Sequence, residues 1–296
     1  MERLVQYFEH IPSAHRSLIL VGGIAFFWLL ESIVPLIRFD YHKPKHAGIN
    51  IFFTFTTILV NFSLAFILVK TSDWAVANHV GLLQWVVMPL WAQAVVGLLL
   101  LDLGGAWLAH WTEHHVKWMW QFHVVHHSDQ YVDTTTANRH HPGESVIRFL
   151  FTTAAVLVVG APMWLVFLYQ ALSVILSQFN HANIELPRWA DRAVNWLLVT
   201  PNMHHVHHHY VLPYSNTNYG NIFSVWDRLF QTHAERAGKD LIYGVDTHPD
   251  AHEHSHIGGI LKVPFQPYRQ PVGEPHAQPG NYVRQTGALS GMEHSK

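Results

Sequence analysis

The sequence predicts an all-α integral membrane protein whose transmembrane helices carry a histidine-rich helical cap on one side of the bilayer. Three observations predict it. Charged residues make up only 13% of the 296-residue chain, about half the usual ~25%. Apolar residues gather in long uncharged blocks. The 26 histidines outnumber the 18 lysines and arginines, and they cluster outside those blocks. The net charge of -2 excludes a basic nucleic-acid-binding protein, so no nucleic-acid partner is expected. The absence of cysteine excludes a disulfide scaffold, a thiolate-ligated haem and a cysteine-held iron–sulfur cluster.

Leu18 to Ile37 is apolar apart from Glu31, and Ala47 to Val69 and Val80 to Leu101 carry no charge. Each run is long enough to cross a ~30 Å hydrocarbon core as a helix, and a soluble core of buried helices does not need three in succession. The first is not a cleavable signal. It is too long, its flank mixes Glu2, Arg3 and Glu9, and no small-residue cleavage site follows. Residues 1–101 are therefore expected to hold three spans, near 18–37, 47–69 and 80–101. Phe149 to Asn180 is a fourth uncharged block, broken by Gly160-Ala161-Pro162. Halves of ~15 residues reach only ~22 Å each, which suits a hairpin over 149–180 that dips into the membrane and returns. Residues 103–148 and 181–232 are polar and aromatic with helical spacing and make the cap. Beyond Ala234 apolar periodicity fades, and 233–296 reads as an extended polar tail. Arg38, Lys43 and Lys45 lie in the first loop, against Lys70 and Asp73 in the second. The positive-inside rule puts the first loop, and everything after Asp102, in the cytoplasm, with the N-terminus outside.

The histidines have ligand spacing. His110 and His114 stand four apart, and His123, His126 and His127 follow as HxxHH. The same box recurs as His204, His207 and His208, and His141 and His181 flank the hairpin. Positions i, i+3 and i+4 share a helix face. Imidazole suits Zn, Cu, Fe and Ni, and eight to ten are too many for one ion but reasonable for two. The clusters border the apolar spans rather than lying inside them, as an enzyme acting on a lipid needs and a transporter does not. Carboxylate-bridged di-iron sites use Glu-x-x-His pairs, and that spacing appears only in the tail. An all-histidine site remains, for oxygen activation or for zinc-dependent lipid hydrolysis; catalytic zinc needs only about three protein ligands, so the excess favours iron. A histidine-rich metal transporter is the alternative from another class. The HExxH pattern at His252, Glu253 and His256 lies in the polar tail and reads as a chance match.

Taken together, these boxes resemble the fatty acid hydroxylase/sterol desaturase superfamily of membrane di-iron oxygenases over roughly Asp102 to Thr232. The resemblance also rests on Arg139-His140-His141-Pro142-Gly143-Glu144, Asn180-His181-Ala182-Asn183-Ile184, Asn218-Tyr219-Gly220-Asn221 and Trp226-Asp227-Arg228-Leu229-Phe230. Tyr243-Gly244-Val245 and Pro264-Phe265 are most similar to bacterial sterol desaturase-like members, alkylglycerol-monooxygenase-like ones included. One departure is His205, where the family pattern expects Arg. The resemblance implies two iron ions, O2 as oxidant, a lipid substrate (fatty acyl, sterol, carotenoid or alkylglycerol) that is hydroxylated or desaturated, and electrons from a separate ferredoxin, cytochrome or reductase. It implies a multi-pass protein of the bacterial inner membrane with its site facing the cytoplasm. The implied ligands are His110, His114, His123, His126, His127, His181, His204, His207 and His208, with His141 a tenth. Asp102, Glu113, Asp129, Glu144 and Asp227 are candidates to hold the far nitrogens of those rings. His115, His140, His205 and His209 are expected to be turned away from the metals, in outer contact or solvated.

Overall fold

The computed structural model describes residues 1–273. In chain order its helices are α1 (Glu2–Glu9), α2 (Ser13–Leu30), α3 (Lys43–Ala77), α4 (Leu90–Asp102), α5 (Leu108–His115), α6 (Lys117–His127), α7 (Pro142–Val159), α8 (Met163–His181), α9 (Arg188–Asn195), α10 (Pro201–His207), α11 (Val225–Leu229), α12 (Ala251–His254) and α13 (Ile257–Ile260). Proline sets several starts. Pro12, Pro89 and Pro162 directly precede α2, α4 and α8, and Pro142 opens α7, where its missing amide donor is harmless. A π-helical turn, Leu103–Trp107, joins α4 to α5, so the third apolar block runs on into the first histidine pair.

Five helical stretches are long and apolar enough to cross a membrane, and the chain is a multi-pass membrane protein. Their outer faces are apolar; Phe62 is 78% and Phe66 69% exposed, a lipid-facing pattern. Inside, Leu68, Leu101, Val156, Trp164 and Leu165 form one core among α3, α4, α7 and α8. In lipid, close packing and interhelical hydrogen bonds hold such helices together. Ser72 Oγ donates to the Ala161 carbonyl at 2.7 Å, and Gln84 Nε2 to the Gly160 carbonyl at 2.7 Å. Gly81 (φ 106°) and Gly160 (φ 66°) meet at this turn, where a Cβ on Gly81 would stand 2.2 Å from the Gly160 nitrogen. Helices α2 and α8 therefore end, and α3 and α7 begin, on the side opposite this turn. All the histidine boxes are on that side.

Four expectations differ from the structure. The hairpin arms are longer than the uncharged block, at 18 and 19 residues, or about 27 Å at ~1.5 Å per residue. The reason is that Glu144 and Arg148 pair with each other, so α7 carries charge without ending. The first span stops at Leu30 because Glu31 turns inward, accepting from the Thr134 and Asn183 amides and pairing with Lys43 at 2.9 Å. The third begins at Leu90, since Gly81 and Pro89 break the chain before it. The tail is also not extended throughout. Leu241, Tyr243, Val245, Ile260 and Val263 are buried, the last three against Phe53, Val124 and Val125. These apolar residues are too widely spaced to give a period. Residues 274–296 of the expected tail lie outside the described residues.

Candidate metal centre

Helices α5, α6 and α10 bring His110, His114, His123, His127 and His207 together, with one ligating nitrogen from each within 4.8 Å of the others. His126, His181, His204 and His208 form a second group on the same criterion. Each HxxHH box splits between the groups. His123 and His127, four apart, face the first, and His126 faces the second; His204 and His208 face the second, and His207 the first. Four residues turn a helix by ~40° and three by ~-60°, so one box serves two neighbouring sites. The groups adjoin, with the His127 and His208 rings stacked at 4.7 Å.

The far side of several rings is anchored by acceptors. His110 Nδ1–H donates to the Tyr219 carbonyl at 2.9 Å, His114 Nδ1–H to Asn216 Oδ1 at 3.0 Å and His207 Nδ1–H to the Thr217 carbonyl at 2.6 Å. His123 Nδ1–H donates to Glu144 Oε1 at 2.7 Å, and His181 Nδ1–H to the Ser177 carbonyl at 2.7 Å. These bonds put the proton on Nδ1 and leave Nε2 a bare lone pair. The Nε2 atoms nevertheless crowd together: His110 and His123 at 3.1 Å, His114 and His127 at 3.2 Å, His181 with His126 at 3.1 Å and with His204 at 3.0 Å. His207 Nε2 is buried and has no partner among the described residues. In the His110–His123 pair both Nδ1 atoms are anchored, so two bare lone pairs face each other and repel unless a cation lies between them. Nitrogens this close can share one ion about 2.1 Å from each. The donor set fits two transition-metal ions.

Burial, and after it the neighbouring imidazoles, holds His123, His126, His127, His204 and His208 well below the usual imidazole range; burial takes His207 down to about 3. Neutral imidazole is the metal-binding form.

His141 joins neither group. Its Nδ1 accepts from the Gly143 amide at 3.0 Å, capping α7, and its ring packs on Phe122 and Phe265. Of the five carboxylates, Glu144 contacts His123, and Glu113 Oε2 lies 3.8 Å from the same nitrogen. Asp227 works one step removed. It accepts from the Tyr219 and Gly220 amides and from Trp107 Nε1, holding the loop whose carbonyl takes His110. Asp102 accepts from the Ile222 and Phe223 amides and Trp226 Nε1. Asp129 pairs with His46 at 2.8 Å. His115 is exposed and His140 half-buried beside His126, but His205 and His209 are fully buried rather than solvated. The tail HExxH does not form a ligand helix: α12 ends at His254, and Glu253 is held by Arg269 at 2.6 Å.

Arg148 went unrecognised in the sequence. It bridges Glu113 at 2.7 Å and Glu144 at 3.1 Å, balancing charge behind His123. Only a cation just before an uncharged block hinted at it. Asn216 and Thr217 were missed too, since one acts through a side-chain amide and the other through its backbone.

The fatty acid hydroxylase profile matches residues 94–232. Ornithine lipid hydroxylase OlsE of Rhizobium tropici is 28% identical over 149 residues, 50% of this chain and 43% of that protein. Alkylglycerol monooxygenase of Danio rerio is 31% identical over 167 residues, 56% of this chain and 35% of that protein. Cholesterol 25-hydroxylase-like protein 1, member 2 of Danio rerio is 26% identical over 140 residues, 47% of this chain and 49% of that protein. The chain thus spans less than half the length of each of these relatives. No solved structure matches it. Both histidine groups fall inside residues 94–232, the stretch that is similar to the fatty acid hydroxylase family.

Proposed function

We propose that this protein is an O2-dependent membrane hydroxylase of a lipid, with two iron ions held by the nine grouped histidines. The carrying observation is the pair of buried imidazole groups whose Nε2 atoms converge beside the membrane helices. The names of the relatives, hydroxylases and monooxygenases of ornithine lipid, alkylglycerol and cholesterol type, support oxygen insertion over desaturation and an amphiphilic lipid as substrate. Bound metal would supply the reduction of O2, with the balance R–H + O2 + 2 e⁻ + 2 H⁺ → R–OH + H2O. The electrons come from a separate one-electron donor protein, and the site faces the cytoplasm.

The chain's own part is positioning. Carbonyls of Tyr219, Thr217 and Ser177 aim the Nε2 atoms. Glu144 Oε1 accepts from His123 Nδ1–H, and Arg148 bridges Glu144 and Glu113 behind that ring. Complete burial of His123, His127, His207 and His208 excludes bulk water from the reacting space.

Lipid mass spectrometry of cells with and without the gene, grown under ¹⁸O2, tests the reading. A lipid that gains one labelled oxygen supports it. Loss of two hydrogens would make the enzyme a desaturase, and product formed equally without O2 would make it a hydrolase.

A further inference from the structure

His205 lies inside the second HxxHH box but points away from both groups. It is fully buried and uses both ring nitrogens. Its Nε2 lies 3.1 Å from the carbonyl of His181, and its Nδ1 bonds the hydroxyl of Tyr243. A carbonyl only accepts, so Nε2 carries the proton and Nδ1 accepts from the phenol. The phenol therefore fixes the tautomer that allows His205 to donate.

That donation falls at a particular place. His181 is the last residue of α8, where helix carbonyls have no partner of their own. His205 ties that end of α8 to α10, and these two helices, with the residue that ends α10, supply His181, His204 and His208 of the second group. Tyr243 itself comes from the C-terminal segment, outside the family stretch of 94–232. The segment is pinned to α10's end by the Tyr210 amide on the Ile242 carbonyl, 2.8 Å, and the Asp246 amide on the Tyr210 carbonyl, 3.0 Å. Ile37, Val132 and Val206 bury the ring.

We propose that Tyr243 is a positioning residue for the second metal site, acting through His205 to hold the α8 and α10 ligands in register. The proposal rests on reading that group as a metal site. The test uses the full chain loaded with Co(II), whose absorption reports ligand geometry, and follows its release to excess chelator. Tyr243→Phe keeps the ring packing and removes only the donor. The expected result is about tenfold faster release of one of two ions, the scale set by other ligand-supporting partners, with a shifted Co(II) spectrum and the other ion unchanged. His205→Gln supplies an amide N–H near the same carbonyl without needing a tautomer. In that background Tyr243→Phe should add nothing. Unchanged release from a protein that loads two ions overturns this proposal alone, as does a Tyr243→Phe effect that persists in His205→Gln. A wild-type chain that binds no Co(II) overturns it together with the metal-site reading.

Discussion

Glu144→Gln separates charge from shape behind the first histidine group. Glu144 is fully buried; its Oε1 accepts from His123 Nδ1 at 2.7 Å and from Arg148 Nε at 3.1 Å. Gln keeps an acceptor oxygen at the same reach but removes the negative charge. A hydrogen bond to a charged group contributes about 1.5–3 kcal/mol net and a neutral one about 0.5–1.5. The difference, about 1–1.5 kcal/mol, is roughly tenfold in an equilibrium constant. Arg148 retains Glu113 at 2.7 Å, so the fold should survive. The assay is equilibrium competition with a chromogenic chelator on the full-length protein. One of two metals should bind about tenfold more weakly while the other is unaffected. Glu144→Leu, which strands the His123 N–H as well, should weaken the same metal by nearer 100-fold. Wild-type affinity in Glu144→Gln, or equal weakening of both metals, would refute the reasoning.

His207→Ala and His126→Ala each remove a ring from a different group, and metal analysis of either variant should fall from two ions per chain toward one; two in both would show that these rings are not ligands. Arg139→Met takes away three buried bonds, to Asn50 Oδ1, the Val125 carbonyl and the His254 carbonyl. Each stranded acceptor costs about 1–3 kcal/mol, so a drop of at least 3 kcal/mol in stability by thermal or chemical unfolding is expected, with protease sensitivity appearing first in the C-terminal segment. Burial takes His248 and His254 of that segment down to about 4, with Arg269 facing the first and Arg139 the second, against Glu253 and, for His254, Asp129 and Asp250. Between about pH 6.5 and 4 the unfolded segment binds more protons than the docked one, so docking is fully stable above pH 6.5 and weakens as pH falls toward 4. Hydrogen exchange over residues 241–265 should therefore speed up at pH 5 beyond its intrinsic pH dependence; slower normalised exchange would contradict this.

The features legible in the sequence are those carried by period. Uncharged length revealed the membrane helices, and i, i+4 spacing revealed the histidine boxes, because both signals come from helix geometry alone. The division of nine rings into two groups was not legible, since it depends on how α5, α6, α8 and α10 cross. His141 carried a ligand-like position but serves as a helix cap, a role any acceptor before Pro142-Gly143 can fill. Asp102 and Asp129 looked like ligand supports by proximity in sequence, yet they satisfy backbone amides and His46. Tyr219 and Tyr243 act on residues far away in the chain, as Arg148 does on Glu113, and nothing in their local pattern announces it. The docked tail was missed for the same reason: its buried residues are anchored by Arg139 and by the α6 surface rather than by their own periodicity.

The central claim is that the grouped imidazoles hold two metal ions. Metal quantification of the full-length protein, purified without added chelator and paired with X-ray absorption at the edge of the bound element, tests it most directly. The account predicts two iron ions per chain in an all-nitrogen/oxygen environment with the scattering pattern of imidazole. A protein that carries no tightly bound transition metal, or one whose metal stays after both histidine boxes are replaced by alanine, would contradict it.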